Sequence, residues 1–212
     1  MRKLSVGDCI SFGWETFKKR PWFLIGTLLL VLIITSIPGS FGPDLPDIDP
    51  DGEFIPEPVT AISLIALLAS IIVSTLAACG IVTFYLRAHD NVMGVQLTDF
   101  WNPGPFWRFL GAHILTGIAV TLGLMAFIVP GIIIGLGLMF VPYLVVERGL
   151  GPVAAIKESW RITKGNKWQL ALLMLALLGI VILGLLALGV GVFVALPIAI
   201  LASVHAYRTL TN

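Results

Sequence analysis

The fold is decided by one long apolar run near the end of the sequence, WQLALLMLALLGIVILGLLALGVGVFVALPIAILASVHAY, which extends from Trp168 to Tyr207. The run contains no Asp, Glu, Lys or Arg. A helix crosses the hydrocarbon core of a bilayer in about 20 residues, so this run is long enough for two crossings. It must turn once, and Gly189-Val-Gly191 is the stretch best suited to a turn. The run therefore predicts a hairpin of two transmembrane helices, residues 168–188 and 191–207.

Four other apolar stretches have a length close to one crossing, and they are residues 22–41, 59–86, 109–129 and 131–146. Pro130-Gly131 predicts a tight turn between the third and the fourth span. The fourth span is short and contains Pro142, which predicts a tilt or a kink. The fold class is therefore predicted to be all-α, an integral membrane bundle of six transmembrane helices in three hairpins, forming a single domain over residues 1–212.

The composition excludes a water-soluble globular protein. The chain is 58% hydrophobic and 12% charged, with a mean hydropathy of +1.00. Soluble domains have about 25% charged residues. A domain of this length still exposes much of its surface, so it could not hide this much apolar material from water.

Charge is distributed unevenly between the two ends of the predicted spans. All 13 Lys and Arg residues fall on one side. The longest connection on the other side, residues 42–58, is an acidic loop without a base. Positively charged loops remain in the cytoplasm, so this pattern predicts a protein of the inner (cytoplasmic) membrane with both termini cytoplasmic. All six Trp residues lie at the basic boundary, as expected for an interfacial aromatic belt.

Two amphipathic segments, residues 5–20 and 152–165, are predicted to lie as interfacial helices on the basic side. In the first, Trp14 is followed by a basic patch and by Trp22; in the second, Trp160 is followed by a basic patch and by Trp168. A weaker third copy spans residues 100–107. The pattern indicates an internal repeat of three units, each an interfacial segment followed by a hairpin.

The basic patches have two interpretations. In the first, they only anchor the bundle on the inner leaflet. In the second, they form a specific site for an anionic phospholipid headgroup. The residues predicted for that site are Lys18, Arg20, Lys164, Lys167 and Trp168.

Several stretches resemble a large group of uncharacterised bacterial integral membrane proteins. The stretches that carry the resemblance are Val129-Pro-Gly-Ile132, Tyr143-Leu-Val-Val-Glu147, residues 154–166 with Ser159-Trp-Arg161 and Thr163-Lys-Gly-Asn166, and the opening from Ser5 to Trp14. A similar pattern occurs in the membrane domain fused to some bacterial glycerophosphodiester phosphodiesterases. The resemblance implies a multi-pass helical fold and no activity, because the group has no agreed activity. The soluble catalytic domain of the phosphodiesterases has no counterpart in this sequence.

The acidic loop contains a partial calcium motif. Asp47, Asp49 and Asp51 alternate before Gly52, with Glu53 next, as in the first half of a calcium-binding loop. The second half departs from the motif, because Pro58 stands where a bidentate Glu is needed. The loop is predicted either to be a solvated acidic segment or to bind calcium weakly, and no other cofactor is expected.

Polar residues inside spans are candidates for function. His113 and His205 are the two considered, either as part of a proton or substrate path, or with His113 hydrogen-bonded between helices and His205 placed at the membrane interface. The middle of each predicted span lacks Asp, Glu, Lys and Arg, which argues against ion-coupled transport.

The sequence lacks the motifs of the common hydrolases and nucleotide-binding enzymes, and it lacks a nucleic-acid-binding motif. The sequence therefore predicts a non-catalytic integral membrane protein of unknown specific role. Its predicted partners are membrane lipids, anionic ones above all, and a membrane protein partner or a second copy of itself. The alternative is a transporter or channel for a small solute.

Overall fold

A computed structural model describes residues 4–39, 47–48, 54–55, 61–187 and 189–211. Its helices are α1 (Val6–Lys19), α2 (Pro21–Gly39), α3 (Ala61–Asn91), α4 (Phe106–Ala126), α5 (Ile128–Leu138), α6 (Val141–Arg148), α7 (Pro152–Thr163), α8 (Lys167–Leu186) and α9 (Val192–Thr211). A 3-10 helix, Leu97–Phe100, lies between α3 and α4. Two short antiparallel strands, β1 (Asp47–Ile48) and β2 (Phe54–Ile55), pair within the acidic loop.

The all-α membrane fold is confirmed by the length and composition of these helices. Within the described ranges, α3, α4, α8 and α9 are each long and apolar enough to cross a membrane, and so is the continuous segment α5–α6, Ile128–Arg148. The first predicted span corresponds to α2, which meets the same test only together with α1, to which it is joined by a bend of 96°. The structure thus has five to six potential spans.

The turn between the third and fourth spans lies earlier than predicted. The sequence indicated Pro130-Gly131, but α4 ends at Ala126, Phe127 is extended with φ −166°, and α5 begins at Ile128. Proline is accepted in the first turn of a helix because the N–H that it lacks would have no partner within the helix there. Pro130 therefore lies inside α5, not in the turn.

The predicted kink in the fourth span is a break between α5 and α6. Pro142 occupies the first turn of α6. Its ring nitrogen cannot donate to the carbonyl of Leu138, four residues earlier, so the helical hydrogen-bond ladder is interrupted. The two short helices together cover the length of one crossing.

The hairpin of α8 and α9 has the turn that the sequence predicted. Gly189 has φ +74°, in the left-handed region that favours glycine. Gly184 and Gly191 bring the two backbones together, since a Cβ added at Gly184 would lie 2.8 Å from the carbonyl carbon of Gly191. Residue 188 lies outside the described ranges.

The short segments at the basic boundary pack against long helices. Helix α1 begins with the Ser5 hydroxyl accepting from the amide of Asp8 at 3.3 Å. It packs along α9, and a Cβ added at Gly13 would lie 2.7 Å from the carbonyl oxygen of Ile198. The 3-10 helix packs on α3 through Phe100 and Gly80, while α7 packs on α5 through Trp160 and Gly137.

The core is concentrated at one end of the bundle, where α2, α4 and α8 begin and α3, α6 and α9 end; we call this the basic end. Its largest fully buried side chains include Phe84, Tyr85, Phe140, Leu144, Leu170, Leu201 and Tyr207. At the opposite end large apolar side chains are exposed, among them Ile62 at 71% and Met125 at 79%. The ends of several helices therefore meet at the basic end in one well-packed region.

Candidate functional site

The predicted headgroup residues lie at the ends of two helices at the basic end. Lys18, in the last turn of α1, is exposed; its Nζ lies 3.5 Å from a carboxylate oxygen of Glu15 and 5.9 Å from the centroid of the Trp14 ring. Lys164 is exposed at the C-terminal end of α7. The structure therefore places these lysines on separate helices.

Lys167 and Trp168 lie at the corner between α7 and α8. Gly165 makes this corner with φ +88°, a conformation that a side chain would strain. The Lys167 ammonium lies 3.4 Å from the centroid of the Trp160 ring, a cation–π distance. Trp168 is 73% exposed. Lys164, Lys167 and two aromatic rings thus occupy one corner of the protein.

Arg20 binds the protein's own backbone. Its Nη1 donates to the carbonyls of Val92 (3.2 Å), Met93 (3.2 Å) and Val95 (3.1 Å). Its guanidinium carbon lies 4.0 Å from the centroid of the Phe23 ring. This side chain fixes the segment that follows α3 to the bend between α1 and α2.

Every described arginine is engaged in the same way, with a carboxylate or a carbonyl. The partners are the backbone at 92–95 for Arg20, Asp99 for Arg87, Gly149 for Arg108, Glu158 for Arg148 and Arg161, and Glu147 with Asp90 for Arg208. Among the lysines of the same ranges, only Lys18 forms an ion pair with a carboxylate. Within the described ranges, Lys19, Lys157, Lys164 and Lys167 therefore lack a carboxylate partner, as do Arg20 and Arg108, whose hydrogen bonds go to backbone carbonyls.

Arg208 joins the ends of three helices. Its guanidinium binds a carboxylate oxygen of Asp90, at the end of α3, at 2.7 Å, and it also pairs with Glu147, at the end of α6. The Tyr207 hydroxyl donates to the other oxygen of Glu147 at 2.5 Å. Sequence analysis did not single out Asp90, because its only signal was its position at the end of a span.

His205, on α9, contacts side chains of α1 and α3. Its Nδ1 is 3.2 Å from Nε2 of His89, and the Phe12 ring stacks on it with centroids 4.3 Å apart. His89 in turn approaches Asp90, with Nδ1 3.1 Å from the carboxylate. His205 therefore makes the contacts between helices that the sequence analysis expected of His113, and His89 is a further member that the sequence did not indicate.

Helix α7 carries its own ion pair. Glu158 accepts hydrogen bonds from Nε and Nη2 of Arg161, at 2.8 and 2.6 Å, and lies 3.4 Å from Nη1 of Arg148. The hydrogen bond from Arg161 and the two positive charges hold the pKa of this carboxyl below its usual range, against the opposing effect of its burial.

His113 lies apart from these groups, on an exposed face of α4. Its ring is nearly parallel to that of Phe109, with centroids 6.0 Å apart. It lines a cleft between α4 and the segment α5–α6. The structure therefore does not bring the two predicted intramembrane histidines together.

Of the predicted calcium ligands, Asp47 lies in β1, where its backbone pairs with Ile55. Asp49, Asp51 and Glu53 lie outside the described residues. In the parts of the chain that the structure describes, no group of three or more His, Cys, Asp and Glu residues is arranged to hold a metal ion. Calcium binding by the acidic loop stays a prediction.

Comparison with known proteins gives a family but no activity. An uncharacterised protein of Mycobacterium tuberculosis strain H37Rv is 28% identical over an alignment 232 residues long. The alignment covers 98% of this chain and 69% of that protein. An uncharacterised protein of Mycobacterium bovis is 26% identical over the same shares. No solved structure matches the chain. The model of the family described as "Protein of unknown function (DUF975)" matches residues 9–212. The chain therefore belongs to the DUF975 family of uncharacterised proteins.

Proposed function

We propose that this protein is a non-catalytic integral membrane protein whose basic end binds anionic lipid headgroups. The observation that carries the proposal is the division of roles between arginine and lysine. The described arginines bind carboxylates and carbonyls of the protein itself, while Lys19, Lys157, Lys164 and Lys167 have no carboxylate partner among the described residues. An ammonium group at the membrane surface attracts anionic lipid by about 1 kcal/mol for each residue.

The corner between α7 and α8 is the best candidate for a specific headgroup site. Lys164 and Lys167 are three residues apart, and Trp168 is mostly exposed beside them. Indole rings favour the headgroup level of a bilayer, so Trp168 would hold the corner at the depth of the lipid phosphates. Lys18 lies on α1 and pairs with Glu15, and Arg20 is committed to the backbone of residues 92–95, so neither is part of this corner.

The proposed orientation has the basic end in the cytoplasm, as the positive-inside rule requires, in the inner membrane of a bacterium. The packing of the boundary segments supports the proposed internal repeat. The three hairpins are α2–α3, α4 with α5–α6, and α8–α9. The 3-10 helix packs on α3 and α7 packs on α5–α6, so each contacts the last helix of the preceding hairpin. Helix α1 packs on α9, the last helix of the third hairpin. The resemblance to the membrane domain of glycerophosphodiester phosphodiesterases is in keeping with a role at the lipid surface.

The alternative, a small-solute transporter, has less support. Transporters often place a substrate at a broken helix whose free backbone groups face a cavity. In this protein the broken segment α5–α6 has its Gly137 carbonyl occupied by the hydroxyl of Ser159 at 2.8 Å. The break is thus bound by α7 at the Gly137 carbonyl, whereas the Leu138 carbonyl lacks the helical donor that Pro142 cannot supply.

Native mass spectrometry of the protein released from nanodiscs of phosphatidylglycerol and phosphatidylcholine tests the proposal. We expect phosphatidylglycerol to be enriched on the wild type. The double variant Lys164→Gln/Lys167→Gln removes two charges, so the free energy of phosphatidylglycerol binding should weaken by about 2 kcal/mol. The enrichment should therefore fall roughly 30-fold.

The matched control is Lys19→Gln/Lys157→Gln, which removes the same charge elsewhere on the basic end. A smaller loss in this control supports a specific site at the corner between α7 and α8. Equal losses in both variants would leave only general attraction of the basic end to the membrane surface. Unchanged enrichment in both would overturn lipid binding by this end.

A further inference from the structure

Two histidines, His89 on α3 and His205 on α9, meet beside α1 at the basic end. Nε2 of His89 lies 3.2 Å from Nδ1 of His205, within the range of a hydrogen bond. Phe12, on α1, packs on both imidazoles at once, with its ring centroid 4.5 Å from that of His89 and 4.3 Å from that of His205. The contact that joins α3 to α9 is therefore also the surface on which α1 rests.

The neighbours of the pair determine where its protons lie. Nδ1 of His89 is 3.1 Å from a carboxylate oxygen of Asp90, whose other oxygen binds the guanidinium of Arg208. A carboxylate can only accept, so Nδ1 of His89 carries a proton. In the neutral ring its Nε2 then has a lone pair, and Nδ1–H of His205 donates to it. The pair thus forms one N–H···N bond of defined direction.

This geometry accommodates one additional proton and excludes a second. After one proton is added, one of the two facing nitrogens still has a lone pair, so the N–H···N bond persists. After two are added, both facing nitrogens carry a proton, and two positive charges lie on rings whose centroids are 5.4 Å apart. The hydrogen bond is then lost and the like charges repel, so the rings must separate.

Water reaches the pair through a pocket between α1 and the end of α3. The pocket includes about 410 Å³ of space, some of it open to the surroundings, and Phe12, Lys19 and His89 are among the residues that line it. The side chain of His89 is 15% exposed. Protons can therefore reach the pair from the basic end while the bundle stays folded.

Charged groups of both signs surround the pair. They are Asp8 and Lys19 on α1, Asp90 on α3, and Arg208 on α9 with its partner Glu147 on α6. Helix α2 also packs on α9, and residues 21–39 contain no titratable side chain. The two carboxylates nearest the rings, Asp8 and Asp90, favour the first added proton, whereas Lys19 and Arg208 oppose the second.

We propose that the pair of His89 and His205 is a pH-sensitive latch for α1. With at most one added proton, the hydrogen-bonded rings form one continuous surface for Phe12 and hold α1 against α3 and α9. A second proton, taken up at acid pH, separates the rings and removes that surface. Helix α1 then detaches while the spans remain in the membrane.

The test is hydrogen exchange of the protein in phosphatidylcholine nanodiscs at about pH 7 and about pH 4.5, on either side of the usual histidine pKa. Protection factors cancel the intrinsic dependence of exchange on pH. In the wild type we expect the protection of the α1 amides to fall at least about ten-fold at the lower pH. Amides of α4, such as that of Phe109, which donates to the Pro105 carbonyl at 2.8 Å, should change by less than about two-fold.

Three variants connect the loss of protection to the pair. His205→Asn keeps an N–H donor near the position of Nδ1, and His89→Gln keeps an acceptor near the position of Nε2, but neither replacement can take up a proton. In each, the protection of α1 should change by less than about two-fold between the two pH values. His113→Gln is the matched control, because it removes an imidazole on α4, away from the pair, and it should show the full loss.

A second measurement needs no variant that alters the latch. The chain has three histidines. Nitrogen-15 NMR of the wild type labelled at histidine, with His113→Gln to assign the third ring, should show two rings protonated at Nδ1 and not at Nε2 near neutral pH. A ring of the pair protonated at Nε2 instead would overturn the proposal, as would constant protection of α1 in the wild type. Equal loss of protection in the wild type, His205→Asn and His89→Gln would also overturn it.

Discussion

The hydroxyl of Ser159 donates a 2.8 Å hydrogen bond to the carbonyl of Gly137. Both residues are buried, and the bond joins α7 to the end of α5, next to the break in that segment. The Thr163 hydroxyl, one turn further along α7, is 3.4 Å from the same carbonyl. The Ser-Trp-Arg and Thr-Lys-Gly-Asn stretches, which stood out in the sequence, thus include the residues that hold α7 against the broken segment.

Replacing Ser159 by Ala should destabilise the protein, because the Gly137 carbonyl would keep only the longer contact with Thr163. Hydrogen bonds between membrane helices contribute about 1 kcal/mol. The loss can be measured as a lower midpoint of thermal unfolding in nanodiscs. Ser70→Ala is the control, since the Ser70 hydroxyl bonds only within α3, to Leu67 at 2.7 Å. Equal midpoints for the two variants would contradict the role given to Ser159.

Gly137→Ala should destabilise the protein through a collision with α7. A Cβ at this position would lie 2.5 Å from Cζ3 of Trp160, and overpacking of this kind costs about 1–3 kcal/mol. Gly135→Ala is the matched control in the same helix, and it should be neutral or slightly stabilising because Ala favours a helix more than Gly does. Urea or thermal unfolding of both variants provides the comparison.

The collision can be checked by a double-mutant cycle. Trp160→Ala removes the ring, so Gly137→Ala should cost much less in that background. Additive effects of the two substitutions would show that Gly137 is constrained by something other than Trp160.

Arg20→Gln should loosen the segment after α3, because three backbone carbonyls lose a shared charged donor. We expect faster hydrogen exchange at the amide of Gly94, which donates to the Asn91 carbonyl at 3.2 Å within this segment. Arg20→Lys should restore little, since an ammonium lacks the planar shape of the guanidinium. Lys18→Gln is the control and should leave that exchange rate as it is in the wild type.

Glu158 should make stability depend on acid pH. Its pKa is lowered in the folded protein, mainly by the hydrogen bond from Arg161, so its ionised form adds stability above the unfolded pKa. That stability is lost as the pH falls through the lowered, folded pKa. Glu158→Gln should therefore be less stable than the wild type near neutral pH, and the difference should shrink as the pH falls through the lowered, folded pKa. A difference in unfolding midpoint that is constant over this range would contradict the prediction.

The sequence predicted six spans, and the structure has five to six helices long and apolar enough to cross a membrane at about those positions, because length and hydropathy are properties of each helix alone. Its boundaries were less accurate where proline was taken as a stop signal, as at Pro130, which the first turn of α5 accommodates. The turn at Gly189, where φ is +74°, was predicted correctly because glycine marks turns in the sequence itself.

The contacts between helices could not be predicted in the same way. Arg208 and Asp90 are far apart in the sequence and both lie at the ends of spans, where a charge can equally well face water. Arg20 was assigned to lipid because its sequence neighbours are basic, and only the structure shows its hydrogen bonds to the backbone at 92–95. Which helices are neighbours depends on packing, and hydropathy carries no information about it.

The packing of α1 along α9 has a consequence for biosynthesis. The ribosome makes α1 well before α9, so the surface of α1 around Gly13 has no native partner until the final hairpin has left the translocon. Residues 192–211 supply the packing partner of α1 long after that helix has been synthesised. A nascent chain interrupted before α9 exposes that unsatisfied surface, which chaperones and proteases of the membrane can recognise.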